Sequence, residues 1–395
     1  MTDEPGSRAS RRFLLAVATI VALVQGPAAA AELSLPGQLL QLQIHGFISQ
    51  GFLLTSANNY LAESSRGSFE FSEVGLNFTL PATDRLTLGI QLFARDLGPI
   101  GDYRATLDWY YLDYRWRDWL GLRAGRVKLP FGLYNDISDI DSARTAVLLP
   151  QSIYPVQNRD FLLAQTGVEI YGYKGLGSVG GLDYRLYLGT IFLDVKPQPG
   201  SPFTVVDLNV PFVAGGRVLW GTPIDGLRLG GSLQFLRLDT DLLASSTPGP
   251  VAVKIPALLW VASAEYAVGD FLLAAEYSRW RVKTESSNPA AFPESSTTSE
   301  RAYALGSYRL SSWLQTGAYY SLLFPNVDRR TGRDAVQHDV ALTVRFDINP
   351  YWLIKVEGHY MHGTAALSSS LNGNSPLSTL TPNWGLFTVK TTALF

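Results

Sequence analysis

Apolar and polar residues alternate along most of this chain. The segments LTLGIQL at 86–92, VALTVRF at 340–346 and WLIKVEGHY at 352–360 all keep a period of two. This period places successive side chains on opposite faces of a β-sheet. The apolar face would cover the core of a soluble sandwich, or it would contact the lipid around a membrane barrel whose polar face lines a wet lumen.

The breaks between these runs distinguish the two folds because they sort by length. Seven short breaks lie at 81–85, 117–119, 175–180, 222–226, 269–270, 311–313 and 349–350. Eight long polar breaks lie at 58–67, 97–105, 130–160, 192–211, 239–255, 283–299, 324–337 and 362–382. Long and short breaks alternate strictly, as they do in outer-membrane barrels with short periplasmic turns and long extracellular loops.

Fifteen such connections join sixteen strands. We therefore predict an all-β fold, a transmembrane antiparallel β-barrel of about 16 strands with short periplasmic turns and long extracellular loops. The barrel has to close, because a sheet in lipid must pair every backbone N–H and C=O and cannot leave an open edge. Aromatic residues crowd the strand ends next to the turns, where rings typically lie at the headgroup level.

The N-terminus has the pattern of an export signal. Three arginines within the first twelve residues precede a twelve-residue apolar run, Phe13–Val24, and Ala29-Ala30-Ala31 offers a small-residue cleavage site. The run is too short to span a bilayer as a helix, and no later stretch has 18 consecutive apolar residues. We predict that 1–31 is a removed signal peptide and that 32–395 is a single barrel domain.

The composition excludes several functions. Charged residues make up 17 % of the chain, whereas a soluble protein has about 25 %. The net charge of −2 argues against a nucleic-acid partner, and the absence of cysteine excludes disulfides, cysteine-based zinc sites and thiol catalysis. With only four histidines in the sequence, we predict no metal and no cofactor.

The third long break is the longest, and it is unusually apolar for an exposed loop. Ile137, Ile140, Val147, Leu148 and Leu149 all lie within 130–160. A long connection of this kind is usually functional or disordered, and its apolar content argues against disorder. We expect the loop to fold into the barrel and constrict it, the alternative being a lid over the barrel mouth.

Charged residues within and around this loop are the candidate site. The loop itself supplies the candidate residues Asp136, Asp139, Asp141 and Arg144. We expect a basic wall to oppose the acids, formed by residues of the preceding strands, namely Arg95, Arg115, Arg126 and Lys128. Parity assigns further charges to the lumen, including Arg185, Arg217, Arg345, Lys355, Lys390, Glu169, Glu276 and Glu357. In the predicted strand 120–129 the alternation is broken, because Leu122 and Ala124 share a face with Arg126 and Lys128. A β-bulge at Gly125 would restore the alternation.

The segment GRVKLPFG, from Gly125 to Gly132, carries a family resemblance. It resembles the G-x-x-K-x-P-F-G strand-to-loop junction of Gram-negative outer-membrane porins, in particular the phosphate-selective porin O and P superfamily. The resemblance implies a trimeric porin with an Arg- and Lys-rich constriction. This loop is acidic instead, so the arrangement of general porins, in which loop acids face a basic wall, fits better. The chain ends in Phe395, which resembles the terminal aromatic residue that the barrel assembly machinery reads.

We therefore predict a passive diffusion channel for small hydrophilic solutes or ions in the bacterial outer membrane. Its expected partners are outer-membrane lipid, lipopolysaccharide, the solutes themselves, the barrel assembly machinery and two further copies in a homotrimer. Two alternatives stay open. One is a closed ligand-binding or adhesive surface barrel, and the other is an outer-membrane hydrolase that uses a histidine base near His338 and Asp339.

Overall fold

The strands form one closed antiparallel sheet, in which each long strand pairs with its neighbours in sequence and the last pairs with the first. The structure, a computed structural model, describes residues 31–34, 41–193, 203–244, 247 and 249–395. The strands are β1 (Ala31–Ser34), β2 (Gln41–Thr55), β3 (Phe71–Pro81), β4 (Leu86–Leu97), β5 (Thr106–Arg117), β6 (Leu120–Lys128), β7 (Ala164–Gly175), β8 (Gly181–Thr190), β9 (Phe203–Gly221), β10 (Leu227–Ala244), β11 (Val251–Val268), β12 (Phe271–Ser286), β13 (Ser295–Ser311), β14 (Leu314–Phe324), β15 (Gln337–Asn349), β16 (Trp352–Gly363) and β17 (Asn383–Leu394).

The barrel closes where β17 pairs with β2. The last pair joins Gly46 to Phe395, with backbone hydrogen bonds of 2.8 and 3.0 Å in the two directions. A Cβ atom on Gly46 would lie 2.4 Å from the Phe395 ring, so a glycine is needed here for the ring to cover the strand. The short strand β1 pairs with the first residues of β2, Gln41 to Ile44. Residues 1–30 of the predicted signal peptide lie outside the described residues.

The sixteen strands β2–β17 confirm the predicted architecture, with seven short turns and eight longer connections in strict alternation. In a barrel of this kind the short-turn end is periplasmic and the other end is extracellular. Among the described residues, no helix is both long and apolar enough to cross a bilayer.

Strands β9–β13 are longer than the sequence analysis predicted. They have 16 to 19 residues and extend into the predicted breaks at 192–211, 239–255 and 283–299. About 9–11 residues suffice to cross a bilayer in a tilted strand. These strands therefore continue past the membrane on the extracellular side, and the polar content that suggested loops belongs to their outer face.

The polarity of the two faces reverses in these extensions. On β12, Arg279, Arg281 and Lys283 are exposed on the outer face, whereas Trp280 and Val282 point into the barrel. Lower on the barrel the outer face is apolar, and its exposed side chains include Leu112, Leu122, Leu186, Leu188, Leu229, Leu233 and Leu342. Exposed aromatic rings near the short turns form a periplasmic girdle, which includes Trp116, Trp119, Tyr308, Trp313 and Trp352.

The strand before the third loop does not contain the bulge that its parity suggested. Pairing of β6 with β5 and with β7 continues through Gly125 without an inserted residue. Gly125 instead takes a φ of 133°, a conformation that glycine adopts without strain. The irregularity is therefore a local change of backbone conformation within a continuous ladder.

The turn that leads into the third loop depends on Gly132. Its φ is 58°, and a Cβ atom there would lie 2.3 Å from the Tyr154 hydroxyl. The Gly132 N–H donates to Ser232 Oγ at 3.0 Å, and its carbonyl accepts from Arg217 at 3.1 Å. The turn is thus tied to β9 and β10, and it directs the chain away from β6 toward the far wall.

The first prediction concerns orientation. The chain has no natural cysteine, so a single thiol introduced by Ser65→Cys or Ser287→Cys should react with a membrane-impermeant maleimide on intact cells. Asp225→Cys, in the turn between β9 and β10, should react only after the outer membrane is opened. Labelling of Asp225→Cys in sealed cells would mean that the barrel is inverted.

The second prediction concerns Gly132→Ala. A side chain at this φ costs about 1–2 kcal/mol, and its clash with Tyr154 adds to that cost. We expect a lower denaturant midpoint for the refolded barrel. Gly358→Ala is the matched control, because Gly358 is a strand glycine with no atom within 4 Å of the added Cβ. Equal midpoints for the two variants would contradict the assigned role of Gly132.

Candidate functional site

Residues 129–163, which connect β6 to β7, lie inside the barrel. The segment is built from short 3-10 turns and one short helix, Arg159–Leu162. Its apolar side chains pack against the lumen face of β11–β13 in a buried cluster comprising Phe131, Leu149, Ile153, Tyr154, Leu162, Leu259, Val261, Ala274 and Tyr303. The apolar content that is unusual for an exposed loop is therefore covered by an apolar patch of the wall.

Asp136 pairs with arginines of β8 and β9. Its carboxylate lies 2.8 Å from Arg185 and 2.9 Å from Arg217. Arg185 also pairs with Glu169 of β7 at 2.7 Å, and Glu169 in turn pairs with Arg123 of β6 at 3.1 Å. Alternating charges therefore run across four neighbouring strands and end on the loop.

Asp139 lies on the side of the lumen formed by β4–β6. Its carboxylate pairs with Lys128 Nζ at 2.7 Å and accepts a hydrogen bond from Gln91 at 3.1 Å. Arg159, from the helix at the end of the loop, lies 3.4 Å away and forms a two-pronged pair with Asp108 at 2.7 and 2.8 Å. The two ends of the loop are joined through this cluster.

Asp141 lies against another part of the wall, formed by β16 and β17, which is across the barrel from β8 and β9. Its carboxylate lies 2.7 Å from Lys390 Nζ and 2.9 Å from Arg144, and it accepts a hydrogen bond from Thr392 at 2.8 Å. Lys355 Nζ donates to the backbone carbonyl of Asp141 at 2.7 Å. Lys355 and Lys390 are almost fully buried, so these lysines are covered by the loop that they hold.

The backbone of the loop is also held by the wall of β15 and β16. Glu357 accepts the N–H groups of Val147 and Leu148 at 2.8 and 2.9 Å. Arg345 donates to the carbonyl of Ser142 at 2.7 Å. These contacts satisfy backbone groups that a buried loop would otherwise leave without partners.

Glu276 holds the loop on the wall of β12. It accepts the N–H of Leu133 at 2.9 Å and hydrogen bonds from the hydroxyls of Tyr303, at 2.9 Å, and Tyr154. Ser263 of β11 donates to the same carboxylate. The loop is thus attached to walls on several sides of the lumen.

Two residues of the predicted basic wall contact the loop directly. Lys128 pairs with Asp139, as described above, and Arg95 donates to the backbone carbonyl of Val156 at 3.0 Å. Arg95 thus reaches the loop, and its contact with the Val156 carbonyl lies within the segment 129–163.

Arg115 and Arg126 occupy other places. Arg115 is exposed near the periplasmic end of β5, and Arg126 donates to the backbone carbonyl of Asp108 at 2.7 Å. The wall cations that pair with Asp136 and Asp141 come from strands farther along the chain, namely Arg185, Arg217, Lys355 and Lys390. The period of two had already placed these four cations on the lumen face. The sequence analysis chose the partners of the loop acids from the strands just before the loop, and for Asp136 and Asp141 that choice was wrong.

The paired loop acids hold their charge in a buried setting. Burial raises the pKa of Asp136, but the neighbouring guanidinium groups of Arg185 and Arg217 outweigh it and hold the pKa below its usual range. The pKa of Asp141 is lowered against burial in the same way, chiefly by Lys390 and Lys355. The stabilisation from these pairs is present at neutral pH, and it is lost only when the pH falls through the lowered pKa values.

Two small cavities lie between the loop and the wall. One of about 40 Å³ is lined by Asp139, Arg144 and Lys390, and another of about 40 Å³ lies beside Thr145 and Tyr319. Such volumes have room for only a few water molecules.

No family model matches the chain, and no curated protein matches it. Solved structures share its fold. OmpT, an outer membrane protein of Vibrio cholerae, superposes with a TM-score of 0.58 at 12 % identity, covering 91 % of this chain and 99 % of that chain.

Two porins superpose comparably. The anion-selective porin from Comamonas acidovorans has a TM-score of 0.56 at 12 % identity, covering 90 % of this chain and 100 % of that chain. Salmonella typhi OmpF, in complex with daunomycin, has a TM-score of 0.55 at 12 % identity, covering 92 % of this chain and 100 % of that chain. Identities this low show the fold alone. The closed barrel with its apolar outer face thus has the fold of bacterial outer-membrane porins and is an outer-membrane barrel.

Proposed function

We propose that this protein is a passive diffusion channel for small hydrophilic solutes or ions. The observation that carries the proposal is the loop 129–163, which enters a sixteen-stranded barrel and is held by ion pairs to opposite walls. A barrel of this strand number is wide enough for an aqueous channel. A loop fixed across it limits the size of what passes, and no energy input or chemical step is needed.

The fixed charges would also select among solutes. Asp136 and Asp141 lie against different walls, and each is surrounded by arginine or lysine side chains. Charges in a narrow lumen are screened less than exposed pairs. Rings of fixed charge set ion preference in channels, so the acids of the loop are the groups expected to adjust it.

Phosphate selectivity is not part of this proposal. Asp136, Asp139 and Asp141 of the loop pair with the surrounding cations, including Lys128, Arg185, Arg217 and Lys390. A cation already paired with a carboxylate has less affinity for a passing phosphate. The arrangement supports a general porin more than a phosphate-selective one.

The geometry around the histidines supports a channel over a hydrolase. His338 and Asp339 are adjacent on β15 and point to opposite faces, His338 contacting Tyr320 and Asp339 contacting His359 in the lumen. Both ring nitrogens of His359 are occupied, one by Asp339 at 2.9 Å and the other by Glu357 at 3.0 Å. A general base needs a free nitrogen within reach of its substrate.

A closed ligand-binding barrel is the second candidate, and the small cavities around the loop favour it. Passage in that case would require the loop to leave part of the wall. The two functions differ in one property, because a channel conducts in a planar bilayer and a closed barrel does not.

The proposal extends to assembly. A solved form of Vibrio cholerae OmpT is described as a trimer, and we propose a homotrimer here. The exposed apolar belt provides contacts for lipid, and the basic side chains of Arg281 and Lys283 on the strand extensions provide contacts for lipopolysaccharide phosphates. Phe395, at the end of the closing strand, is the proposed signal for the barrel assembly machinery.

The third prediction concerns ion preference. Replacing Asp136, Asp139 and Asp141 together with Asn removes three negative charges, and each cation that pairs with them loses one carboxylate partner. The reversal potential in a salt gradient should shift toward anion preference. The matched control replaces three exposed acids of the periplasmic turns with Asn, namely Asp84, Asp225 and Asp270.

Acidification gives this test a second measurement. An ordinary aspartate is close to half protonated at a pH of about 4, but the pKa of Asp136 lies below that range. The difference in reversal potential between the wild type and the triple variant should therefore persist at this pH. Equal reversal potentials for the triple variant and its control would show that the loop acids do not set the ion preference.

The fourth prediction concerns conductance. Deleting 143–150 removes the backbone groups that Glu357 holds and shortens the loop. The single-channel steps in a planar bilayer should become larger than those of the wild type. Silence of the wild type at all voltages, with steps only after the deletion, would favour the closed barrel over the channel.

A further inference from the structure

Three polar atoms that find no hydrogen-bond partner among the described residues lie close together on the lumen face of β12 and β13. They are Arg301 Nε, Trp280 Nε1 and Ser278 Oγ, and each is buried. Ser278 is directly opposite Arg301, and Trp280 is two residues farther toward the extracellular end. Buried polar groups in folded proteins are nearly always paired. Three adjacent potential donors therefore mark a place for an acceptor that comes from outside the chain.

Arg301 forms no ion pair with a carboxylate among the residues that the structure describes. Glu276, on the same face of β12, is directed to the loop and accepts four hydrogen bonds there. Glu300 belongs to the outer face and pairs with Arg279 and Arg330. Arg301 thus differs from the paired lumen cations around the loop.

The guanidinium group of Arg301 is held in place by aromatic rings. Its Cζ lies 4.8 Å from the centroid of the Trp280 ring. The Trp280 ring in turn stacks on Phe161 of the loop, with centroids 6.1 Å apart and an interplanar angle of 15°. Arg301 is partly exposed, and its Nη1 and Nη2 have no hydrogen-bond acceptor within the described part of the chain and are not fully buried. A planar fork is therefore fixed on an aromatic platform and presented to the lumen.

An apolar strip leads from the extracellular mouth to this fork. Leu238 of β10 faces Ile255 of β11, and Val282 of β12 lies opposite Ala257. Leu238, Ile255 and Val282 are partly exposed on the lumen side, next to buried apolar clusters of the wall. The strip is a consequence of the polarity reversal in the strand extensions. A solute that follows it would meet apolar side chains before it meets Arg301.

We propose that Arg301, Trp280 and Ser278 form a binding site for organic carboxylates that carry an apolar body. The fork of Arg301 takes the carboxylate in a two-pronged contact, Ser278 and the indole N–H supply further donors, and the strip takes the apolar body. This inference rests on the proposed channel function, because it names the class of solute that the lumen passes.

The surroundings favour this class over inorganic anions. One cation balances one carboxylate, whereas a doubly charged phosphate would keep an uncompensated charge beside apolar side chains. A bare carboxylate such as acetate gains the charge contact but leaves the strip in contact with water. The neutral analogue of the same body, such as benzyl alcohol, gains only the strip.

The fifth prediction tests the site by calorimetry on the refolded full chain in detergent, with phenylacetate as the probe. Arg301→Gln should weaken phenylacetate binding by about tenfold or more, the loss expected for one charge-assisted contact. Arg301→Lys keeps the charge without the fork and should give an intermediate affinity, and Trp280→Leu should also weaken binding. Arg228→Gln is the matched control, because it removes a lumen cation that is already paired with Glu265.

Acetate, benzyl alcohol and phosphate serve as comparison probes, and each should bind more weakly than phenylacetate. Unchanged phenylacetate binding in Arg301→Gln would overturn the site, and so would phosphate binding as tight as that of phenylacetate. Each variant is first checked for the wild-type β-sheet circular dichroism. Arg301→Lys and Trp280→Leu keep the test decisive if Arg301→Gln does not fold.

Bilayer recordings separate this inference from the channel proposal. Phenylacetate should reduce the chloride current of the wild type and should leave that of Arg301→Gln unchanged. Arg301-dependent binding in a protein that never conducts would refute the channel and keep the site. A conducting wild type that does not bind phenylacetate would refute the site and keep the channel.

Discussion

Backbone pairing in lipid is the constraint on which the rest of this structure depends. A sheet that crosses the membrane can leave no edge open, so β17 must pair with β2. At this seam Gly46 has no side chain, which leaves room for the ring of Phe395. Once sixteen strands close, the interior is wide, wet and lined by the polar half of the alternation. The third loop enters that space because its apolar side chains find an apolar patch on β11–β13 and its acids find the cations of the wall.

The reversal of polarity along β9–β13 follows from the height of these strands. Within the membrane the outer face must be apolar, whereas above it the outer face meets water and carries Arg279, Arg281 and Lys283. The inner face is then free to be apolar, and the mouth of the barrel acquires the strip that ends at Arg301 and Trp280. The same strands thus have an apolar outer face in the membrane and a polar outer face in the water above it.

The sequence was sufficient to predict the strand number, the order of long and short connections, and the lumen parity of Arg185, Arg217, Lys355 and Lys390, because each depends on a period of two. It was insufficient for two features. The extensions of β9–β13 resemble loops in the sequence because they contain many polar residues. The sequence alone does not show that these residues lie on the outer face of the barrel, above the membrane. The partners of Asp136 and Asp141 depend on which strands lie across the lumen, and that depends on the path of the loop, which no local pattern encodes.

The contacts of Asp141 have a consequence for the order of assembly. Its partner Thr392 lies 251 residues later in the chain, on the last strand to be made. Contacts so distant in sequence form late, because the intervening chain must first be ordered. Seating of this part of the loop is therefore coupled to completion of the barrel, and Val147 and Leu148, which belong to a buried cluster with Trp384 and Leu386 of β17, are not fully covered until the seam is made. A barrel that has not yet incorporated β17 would have a loop with exposed apolar side chains, which is a feature that periplasmic chaperones and proteases can recognise.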